Sequence, residues 1–100
     1  MIDISPIVLR KAYETGSLKP SEVVECVFGR LGDPDQEAVW LSTTDAAAAM
    51  DAARALDARI GEISALPLYG LPFSVKDCID VAGEMTSCAC PEFAYPADSA

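Results

Sequence analysis

Apolar residues recur at helical spacing in three stretches of this chain. Val8, Leu9, Ala12 and Tyr13 line one face of a segment over 5–15, the stripe a helix buries against a core. Ser5 stands at the cap position, Pro6 suits the first turn, and Gly16 is placed to end the helix. Val23, Val24, Val27, Phe28 and Leu31 repeat the spacing over 20–31, with Pro20 first and Glu22 in the first turn. Lys19 is a poor cap there. A third helix is predicted over 44–60, carried by its alanines, capped by Thr43 or Thr44 and ended by Gly61.

Two short apolar runs, 38–42 around Val39-Trp40-Leu41 and 72–76 around Phe73–Val75, read as strands. Gly32-Asp33-Pro34-Asp35 is a turn, 62–70 a loop, and the chain from Asp77 onward is mostly irregular, broken by Gly83, Pro91 and Pro96. Two helices, a strand, a helix and a strand make the start of an α/β sheet layered with helices. The stretch from Val39 to Val75 is long enough for a crossover. Two strands leave their hydrogen-bonding edges open, so the pattern expects a part of something larger.

Composition narrows the class. One hundred residues hold one domain at most, and 51% hydrophobic content argues against disorder. A net charge of −9 disfavours nucleic acid and anionic membrane as partners. No charged leader precedes an apolar core and no apolar run approaches a membrane span, which reads as a soluble cytoplasmic protein. Cys26, Cys78, Cys88 and Cys90 then read as free thiols. The C-x₉-C-x-C spacing of the last three is not that of a structural zinc site, and without histidine a cysteine–histidine nucleophile is excluded within the chain.

One cation stands apart. Lys76 follows the Phe73–Val75 run and is the sole Lys or Arg after Arg59. An amine at the end of a buried strand is costly to desolvate, and such burial lowers a lysine pKa. The alternative is a surface lysine paired with Asp77 or Asp80. Those two carboxylates read more simply as turn caps that accept backbone N–H groups than as an acid–base or metal pair. Tyr69 and Trp40 read as packing aromatics, and Ser74 as a packed residue opposite Val75.

The run Gly70-Leu71-Pro72-Phe73-Ser74-Val75-Lys76-Asp77-Cys78-Ile79, followed by Gly83 and Thr86-Ser87, resembles the amidase signature family. The family pattern is roughly Gly-Ile-Pro, apolar residues, Lys-Asp-Asn-Ile, then a Gly and a Thr-Thr-rich stretch. Cys78 replaces the usual Asn and Ser87 the usual second Thr. Cys90-Pro91-Glu92-Phe93-Ala94-Tyr95 also resembles the allophanate hydrolase branch. The resemblance is specific from Pro67 to Tyr95 and weak before it.

The resemblance implies residues 1–100 of a single amidase domain: the N-terminal part of a mixed sheet flanked by helices. It implies hydrolysis of a C–N bond by a Ser-Ser-Lys triad, with Lys76 as the base and both serines downstream in a Gly- and Ser-rich run that this chain lacks. Gly83, Thr86 and Ser87 would lie on the substrate-pocket loop. The expected substrate is a small amide, most simply allophanate in urea degradation, with no metal or organic cofactor. A homodimer of the intact enzyme is left open, and the 100 residues alone are expected to be inactive. The rivals are a general amidase, an A-type subunit of a glutamyl-tRNA amidotransferase, and a truncated non-catalytic protein that binds a partner.

Overall fold

The computed structural model describes residues 2–99. Helix α1 runs Pro6–Thr15, α2 Pro20–Leu31 and α3 Ala46–Asp57. Short 3-10 turns follow at Pro34–Gln36, Ile60–Ala65 and Pro91–Phe93. Two two-residue strands, β1 Met85–Thr86 and β2 Tyr95–Pro96, pair antiparallel with Met85 opposite Pro96 and Thr86 opposite Tyr95. The result is a small helical unit with a two-stranded ribbon; no wider sheet is present among the described residues.

The helix ends show how the sequence acts locally. Ser5 sits at the start of α1, but its side chain makes no cap bond; its N–H donates to Asp3 Oδ1 at 2.9 Å. Gly16 closes α1 at φ 78°, where a residue with a Cβ is strained. Lys19 opens α2 with an N–H donated to Glu22 Oε1 at 3.0 Å. Glu22 thus does part of a capping residue's work from inside the first turn. The cap of α3 is Asp45, not Thr43 or Thr44: Ala48 N–H donates to Asp45 Oδ2 at 3.0 Å. Helix α3 also stops at Asp57, short of Gly61. Asp57 turns to α2, accepting from Ser21 N–H at 3.1 Å and Ser21 Oγ at 2.5 Å. A carboxylate suits the start of α2 and is unfavourable at the end of its own helix.

The core forms where α1, α2, the end of α3 and the chain at 63–71 meet. Leu9, Tyr13, Val23 and Tyr69 are buried together, with Ile2, Leu18, Val27, Leu56, Ile63, Leu66 and Leu71 packed around them. The rings of Tyr13 and Tyr69 meet edge to face, 5.5 Å apart at 81°, an arrangement favoured by the ring quadrupoles. Each hydroxyl reaches a backbone carbonyl: Tyr13 donates to Gly70 at 2.7 Å and Tyr69 to Leu56 at 2.6 Å. Arg10 spans the same seam, donating to the carbonyls of Ile63 at 2.7 Å and Leu66 at 3.3 Å.

Neither apolar run expected as a strand pairs. Residues 38–42 continue from turn into irregular chain, and 72–76 have no regular structure and no ladder partner. A strand needs a neighbour to accept its backbone bonds, and none of the described residues supplies one. Trp40 is 40% exposed, not a core residue, with its ring N–H donated to Gln36 Oε1 at 3.0 Å. Ser74 is likewise exposed. Phe73, at 86% exposure, and Val75, at 42%, present the apolar run to the outside.

Candidate functional site

The approach to Lys76 is anchored at Gly70. Its φ is 65°, and a Cβ there would lie 2.6 Å from the Tyr13 ring. Glycine is therefore required twice over, by conformation and by contact. Beyond it, Leu71 and Pro72 are half-buried, and the chain runs on without regular structure to Lys76.

Lys76 itself is exposed. The expected buried strand end is absent: 72–76 pair with no strand, and Phe73 and Val75 are exposed. No carboxylate of the described residues lies within ion-pairing distance of its amine, so the pairing with Asp77 or Asp80 is absent as well. The Lys76 carbonyl accepts from Ile79 N–H at 3.0 Å and opens a turn.

Asp77 organises the loop ahead. Its carboxylate accepts from Ser87 N–H at 3.1 Å, Ala89 N–H at 3.0 Å and the Ser87 hydroxyl, while its carbonyl accepts from Cys88 N–H at 3.2 Å. The Ala89 N–H, then the Ser87 hydroxyl and N–H, hold the Asp77 carboxyl below the usual aspartate range. Within this clasp Cys88 and Ala89 take φ of 50° and 60°, and Cys90 N–H closes the turn onto Ser87 O at 2.8 Å. Two successive positive φ values are the geometry of a type I′ turn, ordinarily an Asn-Gly or Gly-Gly feature. For residues with a Cβ the left-handed region costs about 1–2 kcal/mol each, so the turn needs external support, and Asp77 gives it.

A second carboxylate repeats the device. Asp80 accepts from Thr86 Oγ1 at 2.8 Å and from the Tyr95 hydroxyl at 2.5 Å. The Tyr95 bond, then that of Thr86, lowers the Asp80 pKa, and Asp80 in turn raises that of Tyr95. Thr86 is buried, and Gly83, at φ 82°, donates its N–H to Ala97 O at 3.0 Å. The structure thus joins Asp77 to Ser87 and Asp80 to Thr86, while the Lys76 side chain stays exposed and outside these contacts. The hydroxyls of Thr86 and Ser87 are engaged with carboxylates. Two shallow depressions, of about 150 and 330 Å³, are lined by α1 with residues of 67–71 and by α1 with Ser17, and neither includes Lys76, Gly83, Thr86 or Ser87.

The reading of Asp77 as a turn cap that accepts backbone N–H groups agrees with these contacts, whereas Asp80 accepts from two side-chain hydroxyls and from no backbone N–H. The left-handed pair at Cys88-Ala89 carries no sequence signal, since neither residue is a turn former. All four cysteines are free thiols, and no cluster of the described residues could hold a metal ion. No helix is long and apolar enough to cross a membrane among the described residues.

Comparison with known proteins gives a consistent result. A family model described as Amidase matches residues 22–99. The A-type subunit of glutamyl-tRNA(Gln) amidotransferase from Desulforapulum autotrophicum is 33% identical over 75 residues, covering 75% of this chain and 15% of that protein. Its counterpart from Azoarcus sp. is 34% identical over 88 residues, covering 88% of this chain and 18% of that protein. Urea amidolyase of Saccharomyces cerevisiae is 67% identical over 30 residues, covering 30% of this chain and 2% of that protein. The chain thus spans less than a fifth of the length of these curated relatives. No solved structure matches it.

Proposed function

The chain belongs to the amidase family, and from that premise we propose that it is the N-terminal part of a serine hydrolase that cleaves a C–N amide bond. Lys76 is the base in this reading. As a free amine it takes the proton of a bridging serine, which activates the serine that attacks the amide carbonyl. Both serines come from chain beyond these 100 residues. A free lysine titrates near ~10.4, so at neutral pH only on the order of one in a thousand is uncharged. Lys76 is exposed, so in this reading the pocket around its amine comes from the remainder of the domain. The exposed apolar run Phe73–Val75 and the unpaired chain at 72–76 are what such a remainder would cover and pair.

Allophanate is the proposed substrate, with ammonia and carbon dioxide as products. The observation that carries this choice is the short segment 67% identical to urea amidolyase, against 33–34% for the two amidotransferase proteins. The breadth of those lower matches, over as much as 88% of the chain, supports a second reading, in which the chain belongs to an amidotransferase and works within a complex.

Ammonia release by the native full-length protein, offered allophanate, glutamine and simple aliphatic amides in parallel, separates the two. Turnover of allophanate alone is the expected result. Turnover of glutamine that depends on added partner subunits would replace it with the second reading. Failure to hydrolyse any amide would overturn both and leave a non-catalytic, partner-binding role.

A further inference from the structure

We infer that Asp77 is a positioning residue: its carboxylate and carbonyl lock the left-handed Ser87–Cys90 turn onto the backbone that carries Lys76. The inference rests on the hydrolase reading above and adds a second residue to it.

Four contacts converge on one residue adjacent in sequence to the proposed base. Three go to the carboxylate, from the Ser87 N–H, the Ser87 hydroxyl and the Ala89 N–H. The fourth joins Cys88 N–H to the Asp77 carbonyl at 3.2 Å. Together they satisfy the N–H groups of three successive residues, two of which hold positive φ. A turn of Cys and Ala does not adopt that conformation unaided. Released from Asp77, it would relax to ordinary φ and shift Ser87 relative to the backbone that carries Lys76.

The clasp also decides where the Asp77 charge goes. A carboxylate next to a lysine can pair with it and hold it protonated, the wrong state for a base. Here the carboxylate is filled by donors from the turn, and no ion pair to Lys76 forms among the described residues. Asp80 is engaged elsewhere as well, its Oδ1 accepting from Thr86 and Tyr95.

The test uses the full-length protein and a fluorophosphonate probe, which forms a covalent bond to an activated serine. The maximal labelling rate constant, the half-saturating probe concentration and the final labelled fraction are measured separately for wild type, Asp77→Ala, Asp77→Asn, Ser87→Ala and Lys76→Ala. A positioning role predicts that Asp77→Ala slows maximal labelling on the order of a hundredfold, as misplacement of reacting groups does. Asp77→Asn, which keeps one accepting oxygen, should fall between, and the labelled fraction should stay complete. A merely structural role would lower the labelled fraction while the folded remainder reacted at the wild-type rate; that result, or a wild-type rate throughout, overturns the inference. If Asp77→Ala does not fold, Asp77→Asn and Ser87→Ala give the same reading, since each removes part of the clasp. Wild-type labelling by Lys76→Ala, or none by wild type, would instead overturn the hydrolase reading.

Discussion

The hydroxyl of Tyr13, in the first helix, donates to the carbonyl of Gly70 at 2.7 Å and ties the N-terminus to the segment that leads to Lys76. The tie is tight enough that Gly70 has no room for a side chain.

Gly70→Ala should therefore destabilise the fold by at least the left-handed cost of about 1–2 kcal/mol, and more if the Tyr13 ring has to move. Tyr13→Phe, which leaves the Gly70 carbonyl without its donor, should cost about 1–3 kcal/mol. Chemical denaturation of the three proteins measures both. A Gly70→Ala protein as stable as wild type would contradict the contact.

Burial pushes the Tyr13 pKa up to about 12, from an ordinary 10.0. The folded state thus binds this proton more tightly than the unfolded chain. Its contribution is fully present below pH 10 and is lost as pH rises through about 12. Melting temperatures followed through that window should fall, and part of the fall should be absent in Tyr13→Phe. Identical pH dependence in the two proteins would contradict the assignment.

Asp77 and Asp80 give the opposite sign. Both titrate below the usual 3.8 in the folded state, so their contribution holds above that value and disappears as pH falls below it. Amide resonances of Ser87 and Ala89 should report a single carboxylate titrating below the free-aspartate value. A transition at or above it would mean that the clasp is not formed.

Asp57 bridges the end of α3 and the start of α2 through Ser21. Asp57→Ala should cost about 1–3 kcal/mol, since it removes charge-assisted bonds and a favourable charge at a helix N-terminus. Asp51→Ala, on the exposed face of α3, should stay within about 0.5 kcal/mol. Equal effects from the two substitutions would contradict the bridge.

The helical segments are legible in the sequence because period and punctuation agree: Val8, Leu9, Ala12 and Tyr13 share a face, and Gly16 closes it. The end of α3 is not, because Asp57 is drawn off by Ser21, 36 residues earlier in the chain, a relation that local propensity cannot contain. The runs at 38–42 and 72–76 have strand composition, but a strand is completed by its neighbour and not by its own residues. The candidate site divides in the same way. Lys76 and its motif stand out in the sequence. The turn at Cys88-Ala89 is imposed by Asp77 and has no residue signature of its own.

The most direct test of the account is the rate of amide hydrolysis by the full-length protein with Lys76 replaced by Ala, the folded state being checked by its melting temperature. A general base typically contributes between about a hundredfold and ten-thousandfold, so the account predicts a loss of about a thousandfold or more with the fold intact. A Lys76→Ala protein that folds and hydrolyses amides at the wild-type rate would contradict it.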